Sequence, residues 1–182
     1  KNGLNYWVFD RLGNLTSDPN GIRLGSFTTT EGIAVTRHEN KIDLWIGVME
    51  TETGLFNAYL LTCTGVDIPN SNLGQAGMPV VNSQDESRGS IAFSWDGSMF
   101  AQAHPNSWPD GDQQVSLYDF DNATGAVSNA MHIAPAVVVA PYDVTFSPDN
   151  TRLYVSRQGS SGGIDYFDLS SNDQATISAS FS

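Results

Sequence analysis

The sequence is poor in cysteine and in lysine. Cys63 is the single cysteine, so no disulfide can form within the chain, and its position at the end of an apolar run predicts a small buried side chain. Only Lys1 and Lys41 are lysines, and 20 acidic residues against 8 basic ones give a formal net charge of −12. Such a charge repels phosphate backbones and anionic membranes, so we expect no nucleic-acid partner. It suits solubility in a salty exterior or binding of divalent cations.

Long apolar runs and helical periodicity are also missing. No run approaches the roughly 18–20 apolar residues that span a bilayer, so direct membrane insertion is not expected. No window keeps a helical period for three turns, whereas β-forming residues are plentiful. The 17 glycines and 8 prolines lie mostly between apolar runs, where turns need them. The sequence therefore predicts an all-β fold. It begins with Lys1 rather than Met, which predicts a mature or internal segment.

What the chain does contain is a repeated pattern. Residues 142–168 predict a strand, a Pro-Asp-Asn turn, a second strand, a Ser/Gly loop and a third strand ending in Asp. The same order occurs in residues 90–125, where Asp96-Gly97 predicts the equivalent hairpin turn, and, more loosely, in residues 32–65. A β-meander that recurs about every fifty residues is typical of a β-propeller or another β-repeat array.

The repeats predict one β-propeller domain of about three and a half four-stranded blades. We assign residues 1–30, with strands at 3–10 and 21–29, to the outer strands of an incomplete blade, and residues 31–88, 89–141 and 142–182 to three blades. Fourth strands are expected at 78–83 (after a loop at 65–77), at 130–133 or 136–140, and at 175–181. The apolar run 136–140 fits a buried strand best. Since blades need neighbours on both faces, we expect half of a seven-bladed propeller. The remaining blades would come from the same parent chain or a partner chain. A four-bladed ring closed by residues 3–10 is the alternative.

The longest polar loop carries the side chains best suited to ligand binding. These are His104, Asn106, Trp108, Asp110 and Asp112. A sugar ring could stack on Trp108 through C–H contacts with its π face, and Asp110 with Asp112 could bind Ca²⁺. An ordinary exposed loop is the competing interpretation, and no other cofactor is predicted. His132 lies in an apolar stretch, which indicates a structural histidine.

Two further polar patterns favour structural roles. Asp119 and Asp121 alternate onto one strand face and are followed by Asn122 and Thr124, but the pattern departs from an EF-hand loop, so turn capping is the preferred interpretation. Residues 159–163 satisfy G-x-S-x-G formally. A nucleophile elbow needs a helix after it, and here a strand is predicted.

The order of these motifs resembles a known family. The strongest stretch is EGIAVTRHENKIDLWIGVMETETGLFNAYLLTCTGV at 31–66, followed by matching segments at 78–83, 89–100, 117–125, 141–156 and 164–170. Together they resemble the N-terminal propeller region of large secreted Bacteroidetes proteins that carry gliding-motility-associated C-terminal sorting domains. The segments at 152–156 and 164–169 are also similar to YVTN-type surface propeller repeats.

The resemblance implies type IX secretion, an extracellular or cell-surface location, and protein or glycan partners in adhesion or surface assembly. It supplies no catalytic residues. We therefore expect a non-enzymatic binding or scaffold module of a larger secreted protein. The alternative is a propeller enzyme such as a metal-dependent, lactonase-like hydrolase, which needs several metal-binding side chains on the innermost strands. Asp143 is such a side chain, but the other positions on the predicted innermost strands offer few metal-binding groups.

Overall fold

In the computed structural model, the residues that can be described are 4–51, 53–67, 88–104, 114–133, 140–159 and 162–182. They form thirteen strands and one short helix. The strands are β1 (Asn5–Tyr6), β2 (Ile22–Arg23), β3 (Thr29–Arg37), β4 (Leu44–Glu50), β5 (Phe56–Thr62), β6 (Gly65–Asp67), β7 (Ile91–Phe93), β8 (Met99–His104), β9 (Gln114–Asp121), β10 (Ala126–Ile133), β11 (Pro141–Phe146), β12 (Arg152–Arg157) and β13 (Gly163–Asp168). The helix is α1 (Gln174–Ala179). No helix among these residues has the length and apolar character that a bilayer crossing requires.

Three antiparallel sheets follow one another along the chain. The first sheet has the order β3-β4-β5-β6, the second β7-β8-β9-β10 and the third β11-β12-β13. Each sheet is a meander, because consecutive strands pair with each other. Strand β7 contacts both β3 and β11, so these first strands lie side by side along the inner edge of the array.

Two cores of different composition join the sheets. Between the first and second sheets, Phe56 contacts three phenylalanine rings, with centroid separations of 4.7 Å to Phe100, 6.1 Å to Phe120 and 6.3 Å to Phe93. Between the second and third sheets the core is mainly aliphatic. Its buried residues include Ala101, Val115, Leu117, Ile133, Val144, Leu153 and Val155. Every second residue of a strand contributes to the same core, because successive side chains point to opposite sides of a sheet.

The turn after the first strand of each sheet is built in the same way. Asp96 accepts hydrogen bonds from Ser94 Oγ at 2.7 Å and Ser98 N at 3.0 Å. Asp149 has equivalent partners, Ser147 Oγ and Thr151 N. In the first sheet Asn40 stands where the other two turns have an aspartate. In all three turns the next residue has positive φ; these residues are Lys41 (62°), Gly97 (71°) and Asn150 (59°). The predicted turns at Asp96 and Asp149 are therefore equivalent.

We expect the Asp149 turn to make unfolding depend on pH in acid. Hydrogen bonds from Ser147, Thr151 N and the Thr151 hydroxyl lower the pKa of Asp149 from 3.8 to about 2. Because the folded pKa lies below the ordinary value, the stabilisation is complete above about pH 4 and is lost as the pH falls towards 2. The thermal midpoint of the wild type should exceed that of Asp149→Asn at pH 5, and the two should converge near pH 2. A constant gap at every pH would contradict this, and Asp67→Asn, at the exposed end of β6, is the control.

The fourth strands differ in part from the predictions. In the first sheet β6 takes this place, in a segment that we expected to be a loop, whereas 78–83 lies outside the described residues. In the second sheet β10 is the fourth strand, which confirms the alternative at 130–133. The preferred segment 136–140 lies, apart from residue 140, outside the described residues. In the third sheet the strand predicted at 175–181 is wrong, because α1 occupies most of that segment.

Local capping explains α1. The Asp173 carboxylate accepts hydrogen bonds from Thr176 N at 2.7 Å and from the Thr176 hydroxyl at 2.8 Å, as an N-cap residue does. Ile177 is buried against the core between the second and third sheets. After the helix, Ser182 exchanges backbone hydrogen bonds with Tyr166, so the last residues run along the free edge of β13. The N-cap and one buried apolar residue thus favour a helix where a strand was predicted.

The first thirty residues contribute the short β1–β2 pair and leave apolar side chains exposed. The predicted strands at 3–10 and 21–29 shorten to Asn5–Tyr6 and Ile22–Arg23. Phe9 is 60% exposed and Leu12 is 87% exposed. Cys63 is exposed too, on the turn between β5 and β6, so the expectation of a buried cysteine was wrong.

Candidate functional site

The two ends of the array are built differently. At the lower end, which we define by the turns at Asp96 and Asp149, neighbouring sheets are joined: Trp95 N donates to Asn150 Oδ1 at 2.9 Å. At the upper end, β8, β10 and β12 finish and β9, β11 and β13 begin. The β8–β9 and β10–β11 connections at the upper end, 105–113 and 134–140, are longer than the turns at the lower end and lie wholly or largely outside the described residues. Because ligand sites concentrate on loops held by a rigid scaffold, the upper end is the place to look for a site.

An exposed carboxylate lies at the inner edge of the upper end. Asp143, near the start of β11, accepts a hydrogen bond from the hydroxyl of Ser90, which precedes β7 in the second sheet. Ser90 Oγ also accepts from Val144 N at 2.9 Å, and Ser90 N donates to Tyr142 O at 2.9 Å. Two adjacent sheets therefore fix the position of one carboxylate, which remains exposed to solvent.

A small cavity opens beside this carboxylate on the face of the third sheet that points away from the second, where a following blade of a complete ring would form the opposite wall. Its volume is about 130 Å³. It is lined by Asp143, Val144, Thr145, Tyr154, Ser156 and Ile164. The strand register explains the grouping, because Asp143 pairs with Ser156, and Ser156 with Ile164. The lining thus combines one carboxylate, three hydroxyl groups and apolar surface.

A second polar group lies at the upper end, within the second sheet. Ser116 Oγ on β9 lies 2.9 Å from His104 Nε2 on β8 and 3.1 Å from His132 Nδ1 on β10. Gln102 lies directly opposite Ser116 in the register and two residues before His104, so its side chain points to the same face. Ser116 is 1% exposed and Gln102 is 2% exposed, whereas both histidines are partly exposed.

Burial determines the protonation state of the two histidines in this group. It lowers the pKa of His104 to about 4, with a further contribution from the nearby His132, because an imidazolium ion loses solvation there. Burial also lowers the pKa of His132. Tyr118, two residues after Ser116 on the same strand, has its pKa raised to about 12 by burial. The histidines are therefore neutral at pH 7, and their ring nitrogens can act as hydrogen-bond acceptors or metal ligands.

The structure describes only one of the five predicted ligand residues. His104 is described, and it faces Ser116 in the sheet. Asn106, Trp108, Asp110 and Asp112 lie outside the described residues, so their proposed sugar and Ca²⁺ contacts stay predictions. At the lower end Asp121 caps its turn, accepting from Ala123 N at 2.9 Å and Thr124 Oγ1 at 2.7 Å, as predicted.

Sequence reasoning missed the pairing of Ser90 with Asp143. The repeat contained the signal, because each residue lies four positions before the serine that begins the equivalent turn, Ser94 or Ser147. The group around Ser116 was missed as well. In the described ranges no three His, Cys, Asp or Glu side chains come together as metal ligands. The metal centre of the hydrolase alternative therefore does not fit the residues around Asp143.

Comparisons with known proteins identify the architecture. No protein-family profile matches the chain, and no curated protein matches it by sequence. Among solved structures, a candidate 6-phosphogluconolactonase of Bacteroides fragilis superposes with a TM-score of 0.61 over 94% of this chain, at 14% identity. One of Bacteroides uniformis gives 0.57 over 93%, also at 14% identity. The chain has a β-propeller fold.

The three sheets are therefore propeller blades, and the all-β propeller prediction is confirmed at the level of fold. The chain covers 45% of the Bacteroides fragilis protein and 48% of the Bacteroides uniformis protein, so it spans less than half the length of either. The number of blades in the complete ring stays a prediction. At 14% identity the likeness concerns the fold, and function has to be argued from the site.

Proposed function

We propose that this chain is part of a β-propeller hydrolase that opens a sugar lactone or a similar cyclic ester at the Asp143 cavity. The observation that carries the proposal is the exposed Asp143 carboxylate, held by Ser90 of the neighbouring blade beside a cavity that also offers hydroxyl donors. The solved structures with this architecture support the reaction class, since two of them are candidate 6-phosphogluconolactonases. They favour the hydrolase over the binding module expected from the sequence.

The chemistry requires a base and a group that stabilises negative charge. A water oxygen attacks the lactone carbonyl carbon while Asp143 accepts the proton that the water loses. The ring C–O bond then breaks, and the proton passes from Asp143 to the departing ring oxygen, which gives the open hydroxy acid. Tyr154 and Ser156 line the cavity and can donate hydrogen bonds to the carbonyl oxygen as it becomes negative. No step passes through a metal ion.

The negative net charge of the chain disfavours a negatively charged substrate. A net charge of −12 repels an anionic substrate on approach. Arg157, the nearest basic side chain of the third blade to the upper end, is ion-paired with Asp165 at 2.5 Å. We therefore propose a neutral lactone rather than one that carries a phosphate.

The test is a continuous assay of acid release by the purified protein, with gluconolactone and its 6-phospho derivative as substrates and spontaneous hydrolysis subtracted. We expect saturable acceleration, with a higher kcat/KM for the neutral lactone. No acceleration of either substrate would rule out the proposal. A preference for the phosphorylated lactone would rule out the substrate choice while leaving the reaction class.

A second candidate is a non-enzymatic binding or scaffold module at the cell surface. One observation supports this binding or scaffold role. The hydrogen bond from Ser90 to Asp143 also joins two blades, which stabilises the fold without any catalysis. In that case the chain is exported by the type IX pathway, and the upper end binds a protein or glycan. Binding on a glycan array, with no lactone hydrolysis and with the native protein in the outer-surface fraction, would support this candidate over the hydrolase.

A further inference from the structure

The group around Ser116 contains a buried polar atom without a partner. The Ser116 hydroxyl can donate to one ring nitrogen and accept an N–H from the other, so it links the two imidazoles. Gln102 Oε1, on the same face, is buried and has no hydrogen-bond partner among the described residues. A buried amide oxygen without a partner costs about 1–3 kcal/mol. A bound metal ion, which would accept a lone pair from Gln102 Oε1, would therefore stabilise this group.

We propose that His104, His132 and Gln102 form a binding site for a divalent transition-metal ion, with Ser116 between the two imidazoles. Imidazole nitrogens are preferred ligands of Zn²⁺ and Cu²⁺, and an amide oxygen can complete the set. Both rings reach the same hydroxyl oxygen, so their nitrogens converge on one point. An ion at that point requires the Ser116 hydroxyl to rotate away and each ring to move inwards to the metal–nitrogen distance of roughly 2.0–2.1 Å. Two strands of one sheet hold the ligands, and β9 lies between them, so the blade fixes their separation.

The surroundings allow an ion to enter and to be bound. Both histidines are partly exposed, so an ion can reach their nitrogens from the upper end. The site does not depend on the proposed hydrolase, because it lies in the second blade, whereas the Asp143 cavity lies on the far face of the third.

The test uses Cu²⁺, which binds nitrogen ligands most tightly among the divalent first-row metals. The purified protein should bind one Cu²⁺ per chain in a fluorescence titration, and the electron paramagnetic resonance spectrum should show coupling to two imidazole nitrogens. His104→Gln and His132→Gln should each weaken binding by at least about tenfold, the lower end of what even outer-shell changes cause. Their midpoints of thermal unfolding without metal show whether they fold.

The third histidine provides the matched control. His38 lies in the turn at the lower end, where its Nδ1 accepts from Asn40 N at 3.0 Å, so His38→Gln should leave Cu²⁺ binding unchanged. The proposal is overturned if the wild type shows fewer than two imidazole nitrogens or no saturable site. It is overturned equally if folded His104→Gln and His132→Gln bind as the wild type does. If those variants do not fold, Ser116→Ala keeps both imidazoles and should still show the two-nitrogen spectrum.

Discussion

Asp143→Asn is expected to lower kcat for lactone hydrolysis by about 10²–10⁴-fold, the usual contribution of a positioned general base. An amide has nearly the same shape as a carboxylate, and its oxygen can still accept the hydrogen bond from Ser90. The contact between the blades should therefore survive, while the ability to take a proton from water is lost. KM should change little, because the lining hydroxyls and the apolar part of the cavity remain. The measurement is kcat and KM on gluconolactone for variant and wild type.

Asp168→Asn is the matched control for this prediction. Asp168 is also exposed, but it ends β13 at the lower end, where it accepts a hydrogen bond from Ser170 N at 2.8 Å. Its substitution should leave kcat unchanged. Ser90→Ala should cause a smaller loss than Asp143→Asn, because it removes only the hydroxyl that orients the carboxylate. Equal activity of Asp143→Asn and the wild type would exclude Asp143 as the base.

Phe56→Ala is expected to lower the free energy of unfolding by about 3–5 kcal/mol, the usual cost of truncating a buried phenylalanine. Phe56 is fully buried, and its ring contacts three phenylalanine rings of the next blade. The chain has little means of filling the space, because the surrounding rings are held on β7, β8 and β9. Urea denaturation followed by circular dichroism measures the change, with the slope m compared between the proteins.

Ile164→Ala tests whether position in the core, rather than loss of apolar atoms, sets the cost. Ile164 is 76% exposed on the third sheet, so its truncation should change the free energy of unfolding by less than about 0.5 kcal/mol. If Phe56→Ala cost less than 1 kcal/mol, or no more than Ile164→Ala, the aromatic core would not be what joins the first two blades.

The sequence predicted best those features that short segments determine. An Asp at the same place in two turns, followed by a residue that tolerates positive φ, predicted the hairpins at Asp96 and Asp149 because the turn depends on its own side chains. The prediction failed at the outer strands. There a short segment is either a strand or a helix depending on what covers it, and the cap at Asp173 with the burial of Ile177 decided for α1.

The candidate site was harder to predict because it depends on residues that are distant in sequence. Ser90 and Asp143 come together only when two blades pack, and Ser116 meets both histidines only through the pairing of three strands. Loop composition pointed instead to Asp110 and Asp112, which lie outside the described residues. His104 was singled out from the sequence as a ligand residue, which stays a prediction, and its partners in the sheet were not predicted.

The contrast between the two cores bears on how a repeated chain avoids assembling in the wrong order. Units of similar backbone can exchange neighbours while they fold, as tandem repeats and swapped domains do. Here the first blade meets a ring-lined surface of the second blade, whereas the third packs Val144, Leu153 and two phenylalanines against alanine, valine, leucine and isoleucine side chains. A blade that docked one unit out of sequence would therefore meet side chains of the wrong size and shape. We expect this mismatch between the two interfaces to disfavour incorrect assembly.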